Sequence, residues 1–473
     1  MELENKATAL WSNFLNVKMP QIRTFHMTWF AFFSCFFAWF GIAPLMSVVR
    51  DELMLTKDQI GWAIIGSVSI TIFARLFIGW LCDRIGPRKA YTWLLIIGSL
   101  PVMGIGLSWN FESFLLFRVL IGGIGAAFVI TQYHTTVMFA PNVVGQANAT
   151  SAGWGNLGGG VTQFVMPLLF SVFVVGFGVS EAVGWRLSMV VVGVIILLIG
   201  IAYFFLTQDA PDGNFDDLRA QGRMPEKKKV TGNYVNALKD PRVWVLFVIY
   251  GSCFGIELTV NNVAALYFAD YFDLSLVAAG FVAASFGLMN LFARTLGGIF
   301  GDNFGALWGL KGRSFWLFIC LLFEGIALII FSQMHVLFLA LPSLIVFSLF
   351  TQMAEGATYS VVPFINKKAL GAVAGVVGAG GNAGAVLAGF LFKNMIDWSE
   401  AFQVLGIVVI CASFLAFFVR FSTRQEDEER AAFAAANIET LRRRADKANA
   451  ALEEGLNAIE ARKLLSRDGQ PAE

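Results

Sequence analysis

The triplet Phe73-Ala74-Arg75, leading to Gly79 and Asp83, returns later in the chain as Phe292-Ala293-Arg294, leading to Gly298 and Asp302. Both arginines interrupt long apolar runs, where a guanidinium costs several kcal/mol unless it faces a cavity or a partner. Each lies about two helical turns before the aspartate that closes its run. At a rise of about 1.5 Å per residue that places it roughly 12 Å from the interface, near mid-bilayer. Two permanent cations converging from duplicated helices leave positive charge in a dry cleft, and their planar forks match the oxygens of a small anion in bidentate fashion. The alternative is that each arginine pairs with a carboxylate on a neighbouring helix. Arg118 heads a different stretch, Gly122-Gly123-Ile124-Gly125, and reads as structural or coupling.

A second duplication supplies neutral donors. Gly153-Trp154-Gly155-Asn156-Leu157-Gly158-Gly159-Gly160 is answered by Gly378-Ala379-Gly380-Gly381-Asn382-Ala383-Gly384-Ala385. Neither run lies between a strand and a helix, so a nucleotide-binding loop is excluded. Small residues in membrane helices allow close approach and sliding, which is the packing reading of these glycines. Asn156 and Asn382 are open to a second reading, since an amide at matching places in both repeats donates to an anion without adding charge.

Protonatable groups inside the apolar runs are His134, Glu257, Glu324 and Glu355, with Glu112 and Glu181 nearer the ends. They bear on energetics, because driving a strong-acid anion into a negative-inside cell costs about 2.3 kcal/mol per 100 mV. Symport with at least two protons needs a titratable relay, for which His134 and Glu257 are candidates; exchange against another monovalent anion is electroneutral and needs none. Each of the two is equally readable as an interior polar group satisfied by a neighbour. Glu355 is readable as a proton carrier or as an interhelical lock to a basic residue.

These residues must be positioned by membrane helices. The chain is 57% hydrophobic and only 14% charged, with 47 Phe and 47 Gly, far from the composition of a soluble domain. Charge-poor runs near the length that crosses a bilayer recur at 27-49, 59-82, 90-108, 113-138, 147-175, 185-206, 243-269, 275-300, 314-332, 336-362, 370-395 and 401-421. They lack the period-2 alternation of a barrel, which points to an all-α membrane protein with twelve transmembrane helices. The polar segment 207-242, with Pro211, Gly213 and Lys227-Lys228-Lys229, separates two six-helix bundles, 27-206 and 243-421. Residues 1-26 form an N-terminal segment and 422-473 a charged tail. Arg84, Arg88, Lys89, the central segment, Lys311, Arg313, Lys367 and Lys368 all fall on one side of this count, which the positive-inside rule makes cytoplasmic, with both termini.

The five cysteines are scattered and odd in number, with no paired spacing, and read as small core residues. A net charge of +1 offers no nucleic-acid footprint, nothing suggests a cofactor or a metal, and no cleavable signal is expected. In the tail, Ile438, Leu441, Ala445, Ala448, Leu452 and Ile459 recur at helical spacing, either as a solvated cytoplasmic helix or as one that docks a partner or a second copy.

The run Gly79-Trp80-Leu81-Cys82-Asp83-Arg84-Ile85-Gly86-Pro87-Arg88-Lys89 resembles the loop signature of the major facilitator superfamily. That resemblance implies a cytoplasmic gate made by Asp83, Arg84 and Arg88 against the other half. The second copy keeps Asp302 without the basic cluster. Within the superfamily, Gln132-Tyr133, Ala152 to Asn156, Asn290 to Arg294, Ala354 to Thr358 and Gly378 to Asn382 resemble the nitrate/nitrite porter family, in particular its high-affinity nitrate transporters. The resemblance covers all twelve spans and not the tail. It implies a transporter rather than an enzyme, in the inner membrane, carrying nitrate or nitrite by rocking of the halves. Arg75 and Arg294 would clamp the anion, with Tyr133, Gly155, Asn156, Gly381 and Asn382 lining the site.

The exchanger branch of that family packs aromatics on the anion from the seventh span, where this chain has Ile256, Glu257 and Val260. That departure favours proton-coupled uptake. The competing expectations are an electroneutral nitrate/nitrite exchanger and a membrane sensor that signals through the tail.

Overall fold

In the computed structural model, residues 5–139, 144–223, 237–366, 370–394 and 397–428 are described, with 430–431, 445–446 and 449. Of the helix expected in the tail, residues 424–428, 430–431, 445–446 and 449 are described and are helical, and the rest of it, with Lys367 and Lys368, lies outside the described residues. The side chains of Asp83 and Asp302, both expected to gate, also lie outside what is described.

Among the described residues, twelve helical spans are long and apolar enough to cross a membrane. They are α1 (Pro20–Glu52), α2 (Lys57–Cys82), α3 (Pro87–Leu107), α4 (Phe111–Met138), α5 (Thr150–Gly176), α6 (Glu181–Leu206), α7 (Pro241–Phe272), α8 (Leu276–Trp308), α9 (Leu310–Ser332), α10 (Leu337–Val361), α11 (Ala372–Lys393) and α12 (Trp398–Phe418). The first begins earlier than hydropathy alone suggests, because Pro20 occupies the first helical turn, where its missing N–H costs nothing. Elsewhere the starts are written as caps. Thr56 and Gln59 close a reciprocal capping box at α2, and Asn110 with Ser113 does the same at α4.

Lipid decides which way each helix faces. On α2, Phe73, Leu76, Phe77 and Trp80 are more than half exposed, whereas Ser67, Thr71, Arg75, Ile78 and Cys82 form a buried stripe at helical spacing. The polar members of that stripe therefore point into the bundle.

The packing repeats. Helices α1 and α5 pair as α7 and α11 do, α2 and α4 as α8 and α10, and α3 and α6 as α9 and α12. The two sets meet along α2 with α11 and α5 with α8, contacts that the same pseudo-symmetry exchanges. Glycines permit the close crossings. A Cβ on Gly158 would lie 2.1 Å from the Phe33 carbonyl on α1, and one on Gly380 would lie 2.1 Å from the Phe247 carbonyl on α7. Between the sets, Gly160 on α5 faces Gly287 on α8, where an added Cβ would meet backbone at 2.5 Å. The packing reading of these segments accounts for most of their glycines.

The turns after α2 and α8 also correspond. Gly86 and Gly309 sit there with φ of 86° and 70°, backbone that a side chain strains. At Gly86 the space a Cβ would fill is taken by the Asp209 carboxylate. Its two oxygens accept the backbone N–H of Arg88 at 2.9 Å and of Phe215 at 3.0 Å, tying the α2–α3 turn to the segment after α6.

Candidate functional site

At the centre of the bundle the two repeated arginines surround one ring. The Arg75 guanidinium carbon lies 5.8 Å from the centroid of Phe254 on α7, and that of Arg294 lies 5.9 Å from it. Phe128 on α4 takes the other side of Arg75 at 5.5 Å. Tyr250, one turn before Phe254, stacks on it at 5.2 Å and meets Tyr359 of α10 edge-on at 5.1 Å. Aromatics hold guanidiniums by their negative faces while shutting out water, so this box desolvates both cations without neutralising them.

The two arginines are not equivalent. Arg294 Nη1 stands 2.6 Å from Glu355 Oε2 on α10, and its Nη2 donates to the Tyr250 hydroxyl at 2.8 Å. Arg75 has no acidic partner among the described residues. Its Nη1 donates to the Gly378 carbonyl on α11 at 3.1 Å, and its buried Nε and Nη2 have no hydrogen-bond partner. The expectation that both cations wait for cargo is thus corrected for Arg294, whose charge a neighbouring carboxylate already meets. The open readings of Glu355 resolve to an interhelical lock in this state.

A second carboxyl joins that lock. Glu257 Oε1 accepts from Asn290 Nδ2 of α8 at 2.6 Å, and its side chain also faces Glu355. Both glutamates are fully buried. The cluster thus sets two buried carboxyls, Glu355 and Glu257, against the two cations Arg75 and Arg294.

The paired asparagines are buried, and neither side-chain atom of Asn156 or Asn382 has a partner. Buried polar atoms left unpaired cost about 1–3 kcal/mol each, and both repeat positions carry that cost. Gly381 acts on the site through another residue: its Cβ would lie 2.3 Å from Phe254 Cδ1, so its lack of a side chain makes room for the ring between the arginines. Gly155 serves packing in the same way, against Phe32 of α1.

Other expected residues lie elsewhere. His134 is buried near the end of α4 with both ring nitrogens occupied, Nδ1 by the Tyr203 hydroxyl at 2.7 Å and Nε2 by the Gln208 carbonyl at 2.8 Å. It ties α4 to α6 and the linker and stays apart from the arginines. Tyr133 packs on Val137, Ala210, Phe215 and Leu218 at that same end. Arg88 stacks on Phe204 at 4.5 Å and Lys89 pairs with Asp216 at 2.5 Å, contacts within the first half and the segment following it, rather than across to the other half. Arg84 stacks on Trp80 at 5.1 Å.

Arg118 does bridge the halves, donating to Asn262 of α7 at 2.8 Å as well as to the Trp39 carbonyl at 3.2 Å. With Arg50–Asp270 at 2.7 Å and Lys393–Asp58 at 3.1 Å it joins the halves at the face away from the termini.

Sequence reasoning missed Tyr250, Phe254, Phe128 and Tyr359. The seventh span does bring aromatics to the arginines, one turn before the positions compared with the exchangers. The signal was the four-residue spacing of Tyr250 and Phe254 on one helical face ahead of Glu257.

A polar core between two pseudo-symmetric helix sets in a multi-pass membrane protein is the architecture of a secondary transporter. The family model of the Major Facilitator Superfamily matches residues 28–364 and 252–469. High affinity nitrate transporter 2.5 of Arabidopsis thaliana is 41% identical over 87% of this chain and 82% of its own length. High-affinity nitrate transporter 2.3 of Oryza sativa subsp. japonica is 36% identical over 88% and 80%. Nitrate/nitrite transporter NrtP of Nostoc punctiforme is 30% identical over 84% and 92%. Among solved structures, a bacterial homologue of the human lysosomal transporter Spinster superposes with a TM-score of 0.66 at 16% identity, covering 87% of this chain and 99% of that one. The chain belongs to the major facilitator superfamily and, within it, to the nitrate/nitrite porter family.

Proposed function

We propose that this protein imports nitrate, and also nitrite, across a cell membrane by alternating access, with protons as the driving ion. The observation that carries the reading is the unpartnered Nε and Nη2 edge of Arg75, buried beside a second arginine. A trigonal anion seated there accepts from that edge in bidentate fashion, with Asn156 and Asn382 as uncharged donors.

Charge bookkeeping supplies the coupling. With Glu355 and Glu257 both ionised the four-group cluster is neutral and has no electrostatic need of an anion. One proton on the carboxyl pair leaves a single positive charge, which one monovalent anion balances. Proton and anion then bind together and leave together, each raising the affinity for the other by linkage.

Both termini are read as cytoplasmic, because the basic residues cluster in the loops on their side. In that orientation the contacts of Arg50, Lys393 and Arg118 close the outer face, and the halves rock about the anion by breaking them.

Purified protein in liposomes, with external nitrate, an imposed pH step and internal nitrite present or absent, tests the reading. Acid outside should drive nitrate accumulation without internal anion. Stimulation by internal nitrite alone, with no response to pH, would overturn the proton-coupled reading in favour of exchange.

A further inference from the structure

A third arginine is buried between the halves. Arg118 on α4 is 1% exposed, and no carboxylate meets it among the described residues. Other cations at the same face do meet one: Arg50 pairs with Asp270, Lys393 with Asp58 and Arg186 with Glu52. A guanidinium sealed from water with only neutral acceptors is costly to keep. The position calls for a negative charge that these contacts do not supply.

The guanidinium is held in two parts. Nη1 donates to the Trp39 carbonyl at 3.2 Å, a contact inside the first half. Nη2 donates across to Asn262 Oδ1 of the second half at 2.8 Å, and the buried Nε beside it has no partner. Nε and Nη2 make up the side edge of the fork, which two oxygens of one anion fill together. A single amide oxygen half-fills it here. The same edge is unpartnered on Arg75.

Depth separates this arginine from the central site. Phe128, which packs on Arg75, lies about three turns further along α4, and Phe254 lies about two turns before Asn262 on α7. At a rise of about 1.5 Å per residue, Arg118 stands roughly 12–15 Å outward of the ring between the central arginines. Asn261 continues the polar route inward. Its Nδ2 is buried without a partner, 3.2 Å from where a Cβ on Gly159 would stand, one turn outward of Asn156.

We propose that Arg118 is an outer binding site for a small monovalent oxyanion, and that Asn262 is the ligand standing in for it while the outer face is closed. When the halves part there, Asn262 leaves with the second half, and the edge stays with the first, aimed by the Trp39 carbonyl. An entering anion takes the place of the amide oxygen before it passes to the central arginines. An unpaired cation in a low-dielectric cleft also concentrates anions at its mouth. The inference rests on the import reading above and adds a second stop on the route.

The test is nitrate uptake into liposomes under an acid-outside pH step, with the KM read for nitrate at the outer face. Arg118→Gln and Asn262→Ala weaken the same contact. A contact that only holds the face closed predicts that both variants favour opening and lower that KM. With an anion site at Arg118 the two diverge. Arg118→Gln should raise the outer KM by about tenfold, as expected for the loss of a charge-assisted hydrogen bond, and Asn262→Ala should lower it.

An outer KM for Arg118→Gln equal to or below that of the parent overturns the proposal. If that variant does not fold, an outer KM for Asn262→Ala equal to or above the parent's overturns it equally. Unaltered protein that takes up no nitrate removes the import reading itself, and the outer site with it.

Discussion

Arg294 Nη1 and Glu355 Oε2 stand 2.6 Å apart in the interior of the second half, while Arg75, which occupies the matching place in the first half, has no carboxylate against it among the described residues. The duplicated cations have diverged into one locked and one open. Breaking a buried pair by removing one partner costs about 3–5 kcal/mol, because the remaining charge is left uncompensated. Glu355→Gln should therefore lower thermal stability, and nitrate, arriving as the missing negative charge, should restore part of it. The melting temperature of Glu355→Gln should rise more with added nitrate than that of the parent, and an equal rise in both would separate Glu355 from the anion site.

Arg75 tests the other half of the asymmetry. Lysine preserves charge but offers a point donor on a flexible stem in place of a planar fork. Charge-assisted hydrogen bonds contribute about 1.5–3 kcal/mol each, so Arg75→Lys should weaken nitrate uptake by roughly 10- to 100-fold in kcat/KM. Near-normal initial rates in liposomes would show that the fork is not the contact.

The inward placement of both arginines is legible in the sequence, because lipid leaves a mid-span guanidinium one direction to face, and the repeated triplet ties the two to one depth. The identity of the Arg294 counter-ion is not. Glu355 lies on a different helix, and periodicity on α8 or α10 alone does not say which acid meets which base. Phe254 is hard to read for another reason: in a chain with 47 phenylalanines its four-residue spacing from Tyr250 marks one helical face among many until the neighbours of that face are known. His134 shows the reverse case, left open by the sequence between a relay and a satisfied interior group. A histidine in an apolar run looks like a relay, and only the fold reveals that Tyr203 and the Gln208 carbonyl occupy its nitrogens.

Gly381 and Gly298 make a matched comparison. A Cβ on Gly381 meets Phe254 Cδ1 at 2.3 Å, whereas one on Gly298 meets nothing within 4 Å. Gly381→Ala should push the ring toward the guanidiniums and raise the KM for nitrate, with an overpacking cost of about 1–3 kcal/mol in stability. Gly298→Ala should be silent in both. Transport kinetics and melting curves of the two variants check this, and a silent Gly381→Ala would remove Phe254 as the spacer between the arginines.

The contact between Arg50 and Asp270 predicts a conformational effect. Both side chains are partly exposed, at 29% and 26%, so the pair contributes little to folding. It joins α1 to α7 across the halves, however, and so favours only the state in which that face is closed. Asp270→Asn should shift the population toward opening there, seen as faster labelling of a cysteine placed at that face, with a change of a few degrees at most in melting temperature. Unchanged labelling would show that Arg118–Asn262 and Lys393–Asp58 hold the face without it.

Asp209 carries a prediction about pH. It lies outside the spans, and burial raises its carboxyl above the ordinary 3.8, against the lowering effect of the Phe215 and Arg88 N–H groups. A raised acid binds its proton more tightly folded than unfolded, so its contribution is complete below 3.8 and is lost as pH rises through the folded value. Asp209→Asn cannot ionise, so the parent-minus-variant difference in stability should shift against the parent as pH climbs from 3.8 through that window and then level off. Asparagine keeps one acceptor of the two, so an offset of about 1–3 kcal/mol from the orphaned N–H should persist at every pH. Melting curves of both proteins in detergent across that range measure it, and a difference that does not vary with pH would mean that the carboxyl titrates at its ordinary value.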